Sequence, residues 1–248
     1  MAKSLSPEAC ADTIRRAGFV SALTGAGIST AAGIPDFRGP KGLYVTRAHD
    51  PEKVFEVAAF DHDPEPFYRF SRDFLALVEA VEPTITHRFL ARLEENGTLG
   101  GIITQNVDGL HRRAGSRNVL AMHGDYSTAH CRRCGREVSG EKLSEGMATE
   151  TVPHCAECGG VLKPDVVFFG ENVRCLVEAE SLARRSDLML VLGSSLTVYP
   201  AAAIPYYAGG EVVVVNKGAV GAASGPGVHI VDADLDGYFK AVAEALEM

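Results

Sequence analysis

The sequence predicts an α/β fold in which a doubly wound parallel sheet is interrupted by a small inserted module. Short apolar and β-branched runs such as residues 188–192 do not alternate with polar residues, which is typical of strands buried on both faces. Segments with helical periodicity lie between these runs. Residues 124–162 break the pattern because they are polar and hold four of the six cysteines, which indicates a separate insertion.

The predicted elements follow one another regularly along the chain. Ser6 and Pro7 predict the start of a helix that continues to about residue 17, and the apolar run 19–23 predicts the first strand. Apolar side chains at three- and four-residue spacing predict a helix over 66–81, and a second helix is expected over 84–95. Further strands are expected at 102–104, 119–122, 188–192, 212–215 and 228–231, with helices at about 175–186 and 235–247. Residues 33–63 show turn residues and little periodicity.

Composition and charge disfavour several classes of protein. The 248 residues carry a formal net charge of −8, whereas a nucleic-acid-binding protein needs a basic surface. Hydrophobic residues at 46% and charged residues at 23% are typical of a globular chain and argue against disorder. The sequence has neither an apolar run of membrane-spanning length nor the pattern of a secretory signal. We therefore expect a cytoplasmic monomer without nucleic-acid or membrane partners.

Two Cys-x-x-Cys pairs predict a structural zinc site. Cys131 and Cys134 form one pair, Cys155 and Cys158 form the other, and 20 residues separate them. In a reducing compartment such cysteines indicate metal ligands before disulfides, although a pair of redox motifs is the alternative interpretation. Four thiolates complete a tetrahedral coordination sphere and leave no position for water, so the site is expected to be structural and not catalytic.

A glycine-containing loop follows the first predicted strand. Gly25, Ala26 and Gly27 would let the backbone approach a pyrophosphate. The usual dinucleotide pattern is incomplete, because Thr30 stands at the third glycine position and no second strand ends in an acidic residue about 20 residues later. An ordinary hydride-transferring dehydrogenase is therefore disfavoured, while a nucleotide held by an unusual loop remains the expectation.

Polar residues also follow the later strands of the predicted sheet. They are Gln105, Asn106 and Asp108 after one strand, Gly193, Ser194 and Ser195 after another, and Asn216 after a third. Because the carboxyl ends of parallel strands lie on one side of a sheet, these residues are expected to form one polar site. His123 ends a further strand beside the inserted module, which ranks it above the other seven histidines as a functional candidate.

Taken in order, these segments resemble the sirtuins, the NAD-dependent protein lysine deacylases. The resemblance extends from about residue 5 to the C-terminus and is carried by segments 25–29, 33–39, 104–108, 123–124, 167–171 and 193–196 together with the four cysteines. It implies a Rossmann-like parallel-sheet domain with a small inserted domain, made of a zinc ribbon and a helical module. We expect the Rossmann-like domain over 1–39, 82–123 and 163–248, the helical module over 40–81 and the zinc module over 124–162.

The resemblance also implies a reaction. The oxygen of an acyl-lysine attacks C1′ of the nicotinamide ribose of NAD, and nicotinamide leaves. A histidine, here His123, then acts as base for a ribose hydroxyl, which attacks the resulting imidate. Water completes the reaction, and the products are free lysine, nicotinamide and O-acyl-ADP-ribose, which is O-acetyl-ADP-ribose for an acetyl group. Two alternatives stay open at this point, namely mono-ADP-ribosylation through the same cleavage of NAD and a non-catalytic zinc-ribbon binding module.

Residue roles follow from the resemblance by position. The expected catalytic residues are His123 and Asn106, and the expected zinc ligands are the four cysteines. The expected NAD-binding residues are Gly25, Ala26, Gly27, Thr30, Asp36, Phe37, Arg38, Gln105, Asn106, Val107, Asp108, His123, Gly193, Ser194, Ser195, Asn216 and Asp234. The expected substrate-binding residues are Val167, Phe168, Phe169, Gly170, Glu171 and Val198, in segments whose backbone would pair with the peptide. Sirtuins specialised for acidic acyl groups share a Tyr-x-x-Arg motif, whereas here Tyr68 is followed by Ser71 at the arginine position. Uncharged acyl groups are therefore the expected substrates.

Overall fold

The computed structural model describes residues 5–36, 54–221 and 225–248. The chain divides into two compact units. The first unit comprises Met1–Ile34, Glu82–Met122 and Cys175–Met248, and the second comprises Pro35–Val81 and His123–Arg174. Within the described residues, no helix is both long enough and apolar enough to cross a membrane.

Each predicted helix and strand is present, with ends that differ by at most three residues, and the structure adds short elements that were not predicted. The helices are α1 Pro7–Arg16, α2 Val57–His62, α3 Glu65–Ala80, α4 Ile85–Glu95, α5 Leu110–Arg113, α6 Gly140–Thr149, α7 Leu176–Arg184 and α8 Leu235–Ala245, with 3-10 helices at Ala26–Ala32 and Ala201–Tyr207. The strands are β1 Val20–Thr24, β2 Leu99–Thr104, β3 Val119–Ala121, β4 Thr128–Cys131, β5 Glu137–Ser139, β6 Leu162–Pro164, β7 Leu188–Leu192, β8 Glu211–Asn216 and β9 Val228–Asp232. Helix α2 falls in the stretch where the sequence showed little periodicity.

The first unit contains a six-stranded parallel sheet, which confirms the predicted fold class. Its strand order is β3-β2-β1-β7-β8-β9, and every strand pair is parallel. All five residues of β1 and of β7 are buried, as expected for strands covered on both faces. The chain builds outward from β1 to β3 and then returns to place β7 beside β1. This reversal is the position at which open α/β sheets bind ligands, next to the carboxyl ends of the strands.

Helices cover the sheet through an apolar cluster that their sequences predict. The side chain of Ser6 caps α1 by accepting a hydrogen bond from the amide of Ala9 at 3.2 Å, and Pro7 occupies the first turn. The cluster joins α1, α4 and α8 to the strands through residues that include Ile14, Phe89 and Phe239. Burial of this continuous apolar surface stabilises the unit and fixes the positions of the strand ends.

The second unit combines a small antiparallel sheet, in the order β5-β4-β6, with helices α2, α3 and α6. Its centre contains the rings of Phe60, Phe67, Tyr68 and Phe168, and the centroids of Phe67 and Phe168 lie 4.8 Å apart. The helix expected at about residues 175–186 begins at Leu176, so Cys175 lies before it. This residue is exposed and precedes α7 with a positive φ of 52°, outside the helix.

Candidate active site

The loops that follow β1 and β7 pack backbone against backbone. The amide of Gly25 donates to the carbonyl of Leu192 at 3.0 Å, and the amide of Gly27 donates to the carbonyl of Gly193 at 2.9 Å. A Cβ atom on Gly27 would lie 2.7 Å from the Cα of Gly193. A Cβ atom on Gly193, whose φ is +62°, would lie 2.4 Å from the amide nitrogen of Ile28. The glycines are therefore required by this contact, in addition to the predicted approach of a phosphate.

A buried network of polar side chains lies at the ends of β1 and β2. The hydroxyl of Ser29 donates to one carboxylate oxygen of Asp108 at 2.6 Å, and the amide of Leu110 donates to the other oxygen at 2.9 Å. The side-chain amide of Asn106 donates to the carbonyl of Gly25 at 3.2 Å and to Ser29 Oγ at 3.3 Å. Ser29 is 1% exposed, and Asn106 and Asp108 are each 8% exposed. Their side chains are therefore fixed in place, with Val107 partly exposed between the two buried residues.

Gln105 connects the ends of β2 and β7. Its side-chain amide donates to the hydroxyl of Ser194 at 2.9 Å, and the same hydroxyl accepts a hydrogen bond from the amide of Leu196 at 3.3 Å. The carbonyl of Ser195 accepts from the amide of Gly221 at 2.8 Å. The structure therefore brings Gln105 and Ser194 together, as the sequence predicts for residues at the carboxyl edge of one sheet.

The remaining predicted NAD-binding residues have local hydrogen bonds. Asn216 ends β8 and donates to the carbonyls of Lys217 and Gly218. Asp234 caps α8, because its carboxylate accepts a hydrogen bond from the amide of Gly237 at 2.8 Å. Thr30 Oγ1 donates to the carbonyl of Gly27 within the first loop. Asp36 is the last described residue of its segment, and the expected residues Phe37 and Arg38 lie outside the described residues.

His123 opens the second segment of the second unit. Its carbonyl accepts a hydrogen bond from the amide of Val167 at 2.8 Å, and its side chain is half-buried. Gly124 follows with a φ of +69°, and a Cβ atom there would lie 1.7 Å from the carbonyl oxygen of Asp165. No larger residue fits at position 124 without moving the backbone, so the glycine fixes the chain direction immediately after the histidine.

The segment of predicted substrate residues is held by a buried lysine. Lys163 Nζ donates to the carbonyl of Val166 at 2.8 Å and to Glu171 Oε2 at 2.9 Å, and it lies 4.0 Å from the centroid of the Phe168 ring. The same Glu171 oxygen accepts the amide of Phe168 at 2.9 Å. Burial lowers the pKa of Lys163, and Glu171 acts against this by pairing with the ammonium group. These contacts tie both ends of the segment together.

Side chains alternate along this segment. Phe168 is buried in the aromatic centre of its unit, whereas Phe169 is 48% exposed and Val167 is partly exposed. The amide of Phe169 donates to the carbonyl of Phe55 at 2.8 Å, and its carbonyl accepts from the amide of Val57 at 3.2 Å. The backbone at Phe169 is thus paired along one edge, and Phe168 acts as a core residue.

The four predicted ligand cysteines come together within the second unit. Their sulfur atoms all lie within 4.8 Å of one another, with Cys131 and Cys158 at 3.4 Å and Cys134 and Cys155 at 3.9 Å. Sulfur atoms bound tetrahedrally to zinc at ~2.3 Å are about 3.8 Å apart, so the arrangement fits one zinc ion. Hydrogen bonds from backbone amides, first that of Cys134, lower the pKa of Cys131 to about 6 and favour the thiolate that a metal requires.

The neighbours of these cysteines have other partners. His130 Nδ1 lies 2.8 Å from Asp165 Oδ1, and His154 Nδ1 lies 2.9 Å from Glu150 Oε2, so both histidines contact carboxylates. Arg132, between the first two cysteines, donates to both carboxylate oxygens of Asp61 in α2 at 2.8 and 2.6 Å. The cysteine-bearing turn is thereby connected to the helical part of the same unit.

Comparison with known proteins identifies the family. The model of the Sir2 family matches residues 25–200, which is more than half of the chain. The chain belongs to the Sir2 family. The resemblance inferred from the sequence motifs is therefore confirmed.

Relatives of known name cover most of this Sir2 chain. It is 42% identical over 212 residues to an NAD-dependent protein deacetylase of Thermotoga maritima, which covers 84% of this chain and 85% of the relative. It is 46% identical over 199 residues to an NAD-dependent protein deacetylase of Sulfolobus acidocaldarius, covering 79% and 77%. Among solved structures, Sir2 with a p53 peptide and NAD+ has a TM-score of 0.84 and 38% identity, covering 94% of this chain and 95% of that one.

Two residues with buried hydrogen bonds, Ser29 and Lys163, were not singled out by sequence reasoning. Ser29 belongs to a matched segment, but only the structure shows that its hydroxyl orders both Asn106 and Asp108. Lys163 was overlooked because a lone lysine before a proline has no sequence signal for burial. The sequence offered one hint, because the opposite charge of Glu171 follows Lys163 by only eight residues.

Proposed function

We propose that this chain is an NAD-dependent protein lysine deacetylase that transfers the acetyl group of acetyl-lysine to ADP-ribose and releases nicotinamide. The observation that carries the proposal is the buried Ser29–Asn106–Asp108 network, which is intact at the carboxyl edge of the sheet in a chain belonging to the Sir2 family. The names of the relatives support deacetylation as the principal reaction.

On the NAD side, the contacts proposed for the nicotinamide and its ribose use groups that are restrained by hydrogen bonds. Asp108, held by Ser29 and by the amide of Leu110, would bind the nicotinamide carboxamide together with the Val107 backbone. Asn106 and Gln105 would bind the nicotinamide ribose, since hydrogen bonds restrain both side chains. The remaining contacts are proposed from position: Gly25, Ala26, Gly27 and Thr30 at the pyrophosphate, Gly193, Ser194, Ser195, Asn216 and Asp234 around the adenosine half, and Asp36, Phe37 and Arg38 in the loop around the nicotinamide.

On the peptide side, the alternation of buried and exposed side chains suggests which residues contact the acyl-lysine and which pair with the peptide through their backbone. Val167 and Phe169 point away from the buried aromatic centre and would line the acyl-lysine channel. Phe168, Gly170 and Glu171 would contribute backbone to a strand formed with the peptide, as would the segment around Val198. Lys163 and Glu171 keep the first of these segments in one conformation before the peptide binds.

In the reaction, NAD supplies an electrophilic C1′ and a nicotinamide leaving group. We assign His123 as the base that removes the proton from a ribose hydroxyl after nicotinamide has left. Imidazole suits this task because it titrates near neutral pH. Asn106 would orient the ribose and the attacking oxygen, and its fixed amide would make that orientation reproducible from one turnover to the next.

Zinc has a structural role in this proposal. Cys131, Cys134, Cys155 and Cys158 would hold one ion in a closed site and stabilise the small sheet, with no part in the chemistry. We further propose a cytoplasmic monomer, because a reducing compartment keeps the four thiols available to the metal.

The decisive experiment is the reaction of an acetyl-lysine peptide with and without NAD, followed by mass spectrometry. His123→Ala should lower the rate by about 10²–10⁴-fold, the usual cost of losing a general base, while NAD binding persists. His62→Ala, at an exposed histidine ending α2, is the matched control and should retain wild-type activity. Activity of His123→Ala within a few-fold of wild type would remove that residue from the role, and a peptide heavier by ADP-ribose would favour the transferase alternative.

A further inference from the structure

A largely buried carboxylate, that of Asp165, lies directly after β6 in the second unit. Its side chain is 10% exposed. One carboxylate oxygen accepts the hydroxyl of Thr128, and the other lies 2.8 Å from His130 Nδ1 and 2.9 Å from Arg174 Nη2. Thr128 and His130 belong to β4, and all four residues lie within the second unit. Three partners on one buried carboxylate restrict it to a single orientation.

The carboxylate of Asp165 is ionised near neutral pH. Burial acts to raise its pKa, but the hydrogen bonds from Thr128 and His130 and the charge of Arg174 outweigh burial and hold the pKa below its usual value. An ionised carboxylate only accepts hydrogen bonds, so all three partners are donors to it. An amide of the same shape could accept on one side only, because its other side carries N–H groups.

The backbone of Asp165 is joined to the chain around His123. The amide of Asp165 donates to the carbonyl of Thr128 at 2.9 Å, so backbone and side chain both bind β4. Its carbonyl oxygen faces Gly124, where a Cβ atom would lie only 1.7 Å away. Two residues further on, the amide of Val167 donates to the carbonyl of His123 at 2.8 Å. The two segments are packed backbone against backbone, so a displacement of Asp165 is transmitted to the backbone of His123.

We propose that Asp165 is a positioning residue for His123, acting through the backbone contacts with Gly124 and Val167. The carboxylate fixes its own segment against β4, and that segment fixes the backbone from which the His123 imidazole projects. A general base must lie within hydrogen-bond reach of the proton that it removes, so its rate depends on this placement. The role rests on the proposed function, which takes His123 as the base.

The order of the proposed steps separates positioning of the base from a general loss of structure. Nicotinamide leaves before the base acts. Labelled nicotinamide can therefore re-form its bond to C1′ while the acyl oxygen leaves, which returns label to NAD without any need for His123. Removal of the acetyl group does need His123. A displaced His123 should slow deacetylation much more than nicotinamide exchange, whereas a distorted NAD or peptide site should slow both.

The test compares Asp165→Asn with the wild type at saturating NAD and acetyl-lysine peptide. We expect kcat for deacetylation to fall about 10-fold, within the ~10²-fold that an ångström's misplacement can cost, while nicotinamide exchange stays within about 2-fold of wild type. Asp61→Asn removes a carboxylate that pairs with Arg132 in the same unit and is the matched control, with both rates unchanged. Thr128→Val removes one donor and should show the same split to a smaller extent, so it provides the test if Asp165→Asn does not fold.

A double-mutant comparison tests whether Asp165 acts through His123. Combined with His123→Ala, Asp165→Asn should slow deacetylation no further than His123→Ala alone. Losses that multiply, or equal losses of exchange and deacetylation in the Asp165 and Thr128 variants, would overturn the positioning role. An active wild type with Asp165→Asn at the same kcat would also overturn the role and leave the proposed function intact. A wild type with neither activity would refute the proposed function and the role together.

Discussion

Replacing Lys163 by Met removes the ammonium group that ties the 163–171 segment together and keeps most of the aliphatic stem. The loss includes the hydrogen bond to the carbonyl of Val166, the ion pair with Glu171 and the contact with the Phe168 ring. The lysine side chain is 8% exposed and that of Glu171 is 26% exposed, so this is a largely desolvated pair.

The expected loss of stability follows from these contacts. Removing one partner of a buried ion pair costs about 3–5 kcal/mol, because the other charge stays behind without compensation. Because Glu171 is partly exposed and recovers some hydration, we expect the free energy of unfolding to fall by about 3 kcal/mol. The double variant Lys163→Met/Glu171→Gln should lose less than the sum of the single variants, with a coupling of about 1–3 kcal/mol.

The assay is urea unfolding combined with hydrogen exchange of the peptide that spans residues 163–171. Arg69→Met is the matched control, because Arg69 pairs with Glu65 at 3.4 Å in the same unit but both side chains are exposed. That variant should lose no more than about 0.5 kcal/mol. Equal effects of the Lys163 and Arg69 variants, or strict additivity in the double variant, would refute the reasoning.

Three further predictions concern zinc, pH and acyl specificity. The purified protein should contain one zinc per chain by metal analysis, and Cys131→Ala should unfold the second unit in circular dichroism; fully active protein without zinc would contradict this. Because the folded pKa of His87, about 4, lies below the unfolded value of about 6.5, protons favour the unfolded chain as the pH falls through this window. Between about pH 7 and pH 5 the free energy of unfolding should therefore fall by about 2 kcal/mol more in the wild type than in His87→Asn, as measured by urea unfolding. Equal pH slopes would show that burial does not lower the pKa of His87. Succinyl-lysine should be removed at least about 10-fold less efficiently in kcat/KM than acetyl-lysine, because an unpaired buried carboxylate is costly. Ser71 bonds to Tyr126 at 3.0 Å, and Arg72 donates to the carbonyls of Met147, Glu150 and Thr151, so neither residue supplies a cation for that carboxylate. Comparable values for the two peptides would show that specificity depends on another group.

The parts of the fold that depend on local pattern were predictable. Residues 188–192 were expected as a strand buried on both faces, and β7 has those bounds with every residue buried. The spacing of the cysteines likewise predicted a cluster that the structure contains. Helix α2 was not predicted, because its six residues are too few to establish a period and it is stabilised by packing of Phe60 against Phe67 and Phe168.

The candidate site was predictable in position but not in its connections. Strand ends on one side of a parallel sheet place Gln105, Asn106 and Asp108 together by topology alone. The hydrogen bond of Ser29 to Asp108 and the ring contact of His87 with His111 are side-chain contacts between different elements of the chain. The sequence predicts only that His87 lies on a helix, and its ring contact with His111 is visible only in the structure. Asp234 differs from these residues, because its capping hydrogen bond with the amide of Gly237 joins positions only three residues apart.

The ion pair between Arg132 and Asp61 connects the four-cysteine cluster to α2, a helix that contains none of the cysteines. Arg132 lies in the turn between Cys131 and Cys134, and its guanidinium donates to both carboxylate oxygens of Asp61 in α2. If zinc is withdrawn, this turn loses its shape and α2 loses its anchor. Limited proteolysis should then cut near residue 61 as well as among the cysteines, so that a fragment pattern far from the metal would report the metal content of the protein.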